Sequence, residues 1–149
     1  MSERGCGGCS RRDALVTLGI ATLAPFMPGC SAKSSLGTAS AARCTGGFCI
    51  DLRVAANAPL RSVGGGLLLE TGGDRIAVVR QSATQIAAVS ALCTHEGCLN
   101  ELDASTSTFD CPCHGSSFSL SGNVLRGPAS IALRVYTASI AGDVVTVIA

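Results

Sequence analysis

Short apolar runs separated by Gly, Asn and Asp make up the chain from Cys44 to its end. Runs of this length that are rich in Val and Ile are typical of β-strands. Gly72-Gly73-Asp74 and Gly142-Asp143 are strong turn signals between neighbouring runs. Spacing of this kind predicts an all-β sandwich or small barrel for residues 44–149. The predicted strands are Phe48–Val54, Gly66–Glu70, Arg75–Arg80, Gln85–Ser90, Thr106–Cys111, Ser117–Leu120, Ile131–Ile140 and Val144–Ile148.

A different pattern precedes this domain. One apolar run, Ala14–Met27, follows the paired Arg11 and Arg12. Paired arginines ahead of a short apolar run are typical of a twin-arginine export signal. The run is shorter than the roughly 20 residues that cross a bilayer as a helix, and Pro28 follows it. We therefore expect residues 1–30 to be an export signal, by a route that carries folded proteins with their cofactors in place.

The end of this signal resembles a bacterial lipobox. Residues 27–30 read Met-Pro-Gly-Cys, which predicts a lipoprotein-type signal with a lipid on Cys30. The small, polar residues 31–43 are then expected to be a flexible linker between the lipid and the domain. Two alternatives stay open, namely cleavage at Ala39-Ser40-Ala41 and an uncleaved anchor. All three predict an exported domain on the periplasmic side, and the lipid or the uncleaved signal would anchor it to the membrane.

Composition limits the function classes. The net charge of +1 gives no case for nucleic-acid binding or for a charge-driven contact with a membrane. One Tyr, four Phe and no Trp leave a core of Val, Ile, Leu and Ala. Because such a core is thin, we expect crosslinks or a metal to help hold the domain together.

Cysteine and histidine are concentrated in two short segments. The chain has nine Cys and only two His. Cys93–Cys98 reads Cys-Thr-His-Glu-Gly-Cys, and Cys111–Ser117 reads Cys-Pro-Cys-His-Gly-Ser-Ser. One Cys and one His from each segment supply two thiolates and two imidazoles, enough to hold a metal centre. Each segment also has one surplus Cys.

A structural zinc site is one interpretation, since tetrahedral zinc accepts these donors. Three features argue against zinc. The Cys-x-His spacing is unlike that of zinc fingers. Zinc leaves the surplus cysteines unexplained, whereas an exported compartment favours joining them in a disulfide. Finally, Gly97, Pro112 and Gly115 suit loops that wrap closely around a bulky inorganic core.

A second close cysteine pair, Cys44 and Cys49, lies at the start of the domain. In an exported protein such a pair favours a structural disulfide over a metal site. We expect the bridge to protect the first strand from fraying. Cys6 and Cys9 lie in the segment expected to be removed, and we assign them no function in the mature protein.

The two segments resemble the boxes of the Rieske family, C-x-H-x-G-C followed by C-x-C-H-G-S. The resemblance covers roughly Ile50–Ile148, although only the boxes are diagnostic. It implies an antiparallel β-sandwich with a small cluster-binding subdomain, whose hairpin loops carry the boxes. The loop Gly127-Pro128-Ala129-Ser130 is similar to the family's proline-containing loop over the cluster.

The same resemblance implies one [2Fe-2S] cluster per chain. Cys93 and Cys111 would bind the inner iron, and His95 and His114 the outer iron near solvent. Cys98–Cys113 would then be the disulfide that ties the loops together.

Three further positions are expected to tune the cluster. Ser116 is at the family position whose hydroxyl donates to a bridging sulfide, which raises the potential. Phe118 stands where high-potential members have a Tyr that donates to a cysteine sulfur, so we expect an intermediate potential. Glu96 replaces an apolar residue of respiratory members, which suits a polar partner surface.

These features imply a one-electron relay between a redox donor and acceptor, with electron uptake coupled to proton uptake at His95 and His114. Such a chain is an electron carrier that could serve as a subunit of an oxidoreductase complex. Two related functions stay open: the quinol-oxidising subunit of a bc-type complex, which Glu96 and Phe118 disfavour, and the small Rieske subunit of a periplasmic oxidase such as arsenite oxidase. A complete ring-hydroxylating oxygenase is excluded, because the chain has no room for a mononuclear iron domain. The alternative of a different class is a zinc- or disulfide-stabilised binding module.

Overall fold

The computed structural model describes residues 33–149. This part of the chain consists of short strands and a 3-10 helix at Ala55–Arg61. All strand pairs are antiparallel except that of β2 with β5. The strands are β1 (Lys33–Ser34), β2 (Gly37–Thr38), β3 (Ala41–Cys44), β4 (Gly47–Asp51), β5 (Gly66–Glu70), β6 (Arg75–Arg80), β7 (Ile86–Ser90), β8 (Glu101–Asp103), β9 (Thr108–Asp110), β10 (Ser117–Ser119), β11 (Val124–Arg126), β12 (Thr137–Ala141) and β13 (Val144–Ile148).

The strands form three sheets, which we call outer, middle and metal-side. Their orders are β12-β13-β4-β3, β2-β5-β6-β7 and β1-β8-β9-β10-β11, respectively. Successive side chains of a strand point to opposite faces of its sheet. On β6, Ile76 and Val78 pack with residues of the outer sheet, whereas Ala77 and Val79 pack with residues of the metal-side sheet. The middle sheet is therefore buried on both faces.

Two hydrophobic cores result, and they differ in composition. The sandwich core, between the outer and middle sheets, is mainly aliphatic and includes Ile50 and Val145. The second core lies against the metal-side sheet and contains Cys93 and Cys111, each 3% exposed. The two predicted thiolate ligands thus belong to a hydrophobic core.

The strand predictions have the correct bounds for two strands of the middle sheet and one strand of the outer sheet. Gly66–Glu70 and Arg75–Arg80 have the bounds of β5 and β6, and Val144–Ile148 has those of β13. The predicted strand Ile131–Ile140 is wrong in its first half. There the chain passes from one sheet to another, since Leu133 N–H donates to Gly122 O and Tyr136 N–H to Ala88 O.

The segment Lys33–Cys44 differs from the flexible linker that the sequence predicts over residues 31–43. It supplies a strand to each sheet in turn, because β1 pairs with β8, β2 with β5 and β3 with β4. Asn57, fully buried, accepts from Ser40 N–H at 2.8 Å and donates to Ser40 O at 2.8 Å and Asp51 O at 2.9 Å. The strands of this segment are mostly exposed, so the segment has no apolar alternation that could predict them.

Several predictions fall outside the described residues. These are the export signal of residues 1–30, lipid attachment at Cys30 and the pair Cys6 and Cys9. Within residues 33–149, no helix has the length and apolar character needed to cross a bilayer.

Candidate metal centre

Two loops with the same backbone hydrogen bonds carry the predicted ligands. We call Cys93–Cys98, between β7 and β8, the first loop, and Cys111–Ser116, between β9 and β10, the second loop. In each, the N–H of the first cysteine donates at 2.8 Å to the carbonyl five residues later. The N–H of Gly97 or Gly115 donates back to that cysteine's carbonyl, at 2.8 and 3.0 Å. These glycines have φ of +74° and +76°, where a side chain would be strained.

The four cysteines of the loops separate into a disulfide and two free thiols. Cys98 and Cys113 are bonded, with Cα atoms 6.5 Å apart, so the predicted bridge between the loops is present. Cys93 and Cys111 are free and buried. The predicted bridge between Cys44 and Cys49 is also present and closes the β3–β4 hairpin.

The two histidines lie together at the surface. The ring centroids of His95 and His114 are 5.0 Å apart, with the ring planes at 80°. A carboxylate oxygen of Glu96 lies 3.7 Å from Nε2 of His114, and the Glu96 side chain is 60% exposed. The site therefore has buried thiols on its inner side and exposed imidazoles on its solvent side.

Residues 126–131, which we call the covering segment, contact both loops. The N–H of Ala129 donates to Ser116 Oγ at 3.0 Å, and Arg126 Nε donates to Gly115 O at 3.0 Å. Thr94 Oγ1 donates to Ile131 O at 2.5 Å. The segment includes the predicted Gly127-Pro128, whose peptide bond is cis.

Sequence reasoning missed Thr94 and Arg126 as parts of the site, and it placed Ala129 in the covering loop without predicting its contact with Ser116. Thr94 lies inside the first box, so its position was a signal. The contacts of Arg126 and Ala129 span more than ten residues, and no local pattern marks these contacts.

Ser116 and Phe118 are both fully buried, and Phe118 lies in the same core as the free thiols. Ser116 Oγ accepts the hydrogen bond from Ala129, and among residues 33–149 no acceptor is seen for its own proton. Phe118 packs in the second core and has no hydroxyl to donate. The two positions therefore offer one hydrogen-bond donor to a bound group.

A partly buried carboxylate precedes the second loop. Asp110 is paired with Lys33 Nζ at 2.9 Å, and its side chain is 14% exposed. Burial by itself raises the pKa of Asp110. Hydrogen bonds from Lys33 and Ser117 and the charges of Lys33 and Arg126 outweigh burial, so the pKa lies below its usual value. The N-terminal strand thus supplies the counter-charge of a residue adjacent to Cys111.

This donor set fits a [2Fe-2S] cluster. Two buried thiols and two imidazoles match the mixed ligands of a cluster in which histidines replace cysteines on one iron. The unused proton of Ser116 suits a sulfide acceptor, which a lone zinc ion does not provide. The fold and the site together define a small β domain that holds an iron–sulfur cluster.

Comparison with known proteins gives the family. The family model of the Rieske [2Fe-2S] domain matches residues 53–137. The chain therefore belongs to the Rieske family, and its domain binds a [2Fe-2S] cluster.

The similar proteins are, by name, iron-sulfur subunits of the cytochrome b6-f complex. A cytochrome b6-f complex iron-sulfur subunit of Chlorobaculum thiosulfatiphilum is 45% identical over 71 residues, which is 47% of this chain and 38% of the relative. Cytochrome b6-f complex iron-sulfur subunit 2 of Synechocystis sp. is 41% identical over 73 residues, or 48% and 41% of the two chains. The chain spans only about two fifths of the length of these relatives.

Solved structures confirm the fold. The plasma membrane Rieske protein PetC3 of Synechocystis matches with a TM-score of 0.56 and 36% identity, over 62% of this chain and 93% of its own. The ferredoxin of carbazole 1,9a-dioxygenase from Nocardioides aromaticivorans has a TM-score of 0.51 at 24% identity, over 58% of this chain and 86% of its own, and shares the fold.

Proposed function

We propose that this protein is a one-electron carrier whose cluster is held by Cys93, Cys111, His95 and His114. The observation that carries the proposal is the pairing of two buried free thiols with two imidazoles exposed 5.0 Å apart. A redox partner can reach the imidazole side directly, while the thiol side is closed to water by the second core.

The residues of the site have different roles in the proposed electron transfer. A cluster bound here supplies a one-electron couple, with a potential above that of all-thiolate clusters because two neutral imidazoles replace thiolates. Cys98–Cys113 keeps the loops at a fixed separation while the charge of the site changes. Ser116 donates a hydrogen bond that favours the reduced, more negative form. Phe118 cannot add a second one, which supports an intermediate potential.

The proposed location is the periplasmic side of the membrane, with a redox protein as donor and another as acceptor. The paired Arg11 and Arg12 support export, and residues 27–30 support a lipid on Cys30. The two disulfides fit an oxidising compartment. Detergent phase partition of the full chain tests the anchor: Cys30→Ser should move the protein to the aqueous phase. If that variant stays in the detergent phase, the lipid assignment is wrong.

A second candidate is the quinol-oxidising subunit of a b6-f or bc-type complex, which the names of the similar proteins support. Glu96 favours the first proposal, because it places an exposed carboxylate 3.7 Å from His114. A charged group of this kind suits a polar protein partner better than an apolar quinol. Reduction rates of the purified protein with a quinol and with a soluble redox protein distinguish the two functions.

Electron paramagnetic resonance of the dithionite-reduced protein tests the cofactor and its ligands. We expect a Rieske spectrum, which Cys111→Ser and His114→Ala should each abolish. Glu96→Gln, an exposed neighbour outside the ligand set, serves as the control and should retain the spectrum. Zinc without iron in anaerobically purified protein would contradict the proposal, and a spectrum that survives both ligand variants would refute the assignment.

A further inference from the structure

The hydroxyl of Ser116 is held from two sides. Its backbone is fixed by the second loop, where Cys111 N–H donates to Ser116 O at 2.8 Å. Its side chain is fixed by the covering segment, where Ala129 N–H donates to Ser116 Oγ at 3.0 Å. Ser116 is fully buried and Ala129 is 5% exposed, so water cannot readily replace either partner.

A serine hydroxyl has one proton and two lone pairs, and it rotates to suit its partners. The Ala129 amide donates to one of the lone pairs. The hydroxyl proton is not used in this contact and can donate to another group. Rotation about the Cβ–Oγ bond would bring that proton toward the amide proton, an unfavourable contact. The amide therefore restricts the hydroxyl to orientations that point its proton away from the covering segment.

We propose that the Ala129 amide is a positioning group, which aims the Ser116 proton at the bound cluster and thereby couples the covering segment to the reduction potential. The inference rests on the ligand set under Proposed function. The first loop cannot act in this way, because Cys98 occupies the position that corresponds to Ser116 and is in the disulfide. The proposed positioning of a hydroxyl proton therefore concerns the second loop.

The covering segment is itself held in place on both sides of Ala129. Arg126 is tied to Gly115 of the second loop, and Ile131 to Thr94 of the first. These contacts fix the amide relative to both loops. A small displacement of the segment therefore changes the hydrogen bond from Ser116, and with it the stability of the reduced form.

The test is a double-mutant cycle on the midpoint potential, measured on the holoprotein by film voltammetry. Ser116→Ala should lower the equilibrium constant for reduction about tenfold, equivalent to about 59 mV for one electron. Ala129→Pro, which removes the N–H, should lower it at least threefold. In the Ser116→Ala background, Ala129→Pro should have no further effect, since the hydroxyl it positions is gone. Equal shifts in both backgrounds, or no shift in either, would overturn the proposal.

A second readout keeps the test decisive. If Ala129→Pro fails to assemble, hydrogen exchange of the Ala129 amide replaces it. Ser116→Ala should then speed exchange at Ala129 at least tenfold, and an unchanged rate would show that the amide does not hold the hydroxyl.

Discussion

The sandwich and the metal-binding half of this protein are held together by different means. In the sandwich, β5, β6 and β13 have five or six residues each; β5 and β6 bury continuous apolar runs, and β13 buries Val145 and Val147. In the metal-binding half, β8 to β11 have three residues each, and a disulfide and single hydrogen bonds from the covering segment link the loops. Strands this short have few ladder bonds, so the metal-binding half depends on its crosslinks and on the cluster.

Removal of the cluster should show most clearly that the two halves are stabilised by different means. We expect amide exchange in β8 to β11 and both loops to rise at least tenfold in the cluster-free protein, because iron–ligand bonds contribute folding free energy there. Exchange in β5, β6 and β13 should change little. Hydrogen-exchange mass spectrometry of both forms measures this, and a uniform rise across the chain would contradict the division.

The two disulfides should differ in what they stabilise. Replacing Cys98 and Cys113 with Ser opens a loop of 15 residues, with an expected loss of about 3 kcal/mol and of the Rieske spectrum. Replacing Cys44 and Cys49 opens a loop of 5 residues and should cost about 2 kcal/mol with the spectrum retained. Urea unfolding and iron content give both results. Loss of iron from the second variant, but not the first, would reverse the comparison.

Two buried asparagines can be compared directly. Asn57 lies in the 3-10 helix, and Asn100 directly precedes β8. Asn57 makes three hydrogen bonds, whereas the amide atoms of Asn100 have no partner within the described chain. Asn57→Leu should destabilise by about 2 kcal/mol, because Ser40 loses its partners. Asn100→Leu should be neutral or stabilising. Urea unfolding checks both, and equal losses would show that Asn100 has a partner such as an ordered water.

Phe118→Tyr should raise the potential without changing the stability of the sandwich. The added hydroxyl can donate to a ligand sulfur in the second core, which favours the reduced form. We expect a shift smaller than the drop caused by Ser116→Ala, measured by protein-film voltammetry. Absence of an upward shift would show that Phe118 does not limit the potential.

Lys33→Ala should have the smallest effect, and it should depend on pH. Asp110 has a lowered pKa in the folded state, so its ion pair stabilises the protein above the unfolded pKa of about 3.9. This contribution is lost as the pH falls through the lower folded pKa. Urea unfolding at pH 6 should show the variant to be slightly weaker, with the difference shrinking below about pH 4 and vanishing below the folded pKa. Lys33→Arg, which keeps the charge, is the control, and a difference that persists in acid would exclude the ion pair as its cause.

How far the sequence predicts the molecule depends on the range of the contacts involved. β5 and β6 are predictable because burial on both faces leaves a continuous apolar run. The two boxes are predictable because the proposed ligands, the glycines and the surplus cysteines lie within a few residues of one another.

The features that the sequence does not predict depend on contacts with residues far away in the sequence. The strands of Lys33–Cys44 form because β8, β5 and β4 offer free edges, which the small polar residues themselves do not signal. The role of Ala129 likewise comes from its backbone amide, and any residue other than proline could supply that group.

The path of the N-terminal segment also determines how the domain bears a mechanical load. A pull on Lys33 acts first on β1 and β2, which have two residues each and can detach a few hydrogen bonds at a time. Detachment of β1 also breaks the Lys33–Asp110 pair beside the second loop. At Cys44 the covalent bridge to Cys49 passes the force into β4 and the sandwich. Under tension β1 and β2 can therefore detach before the force reaches the sandwich.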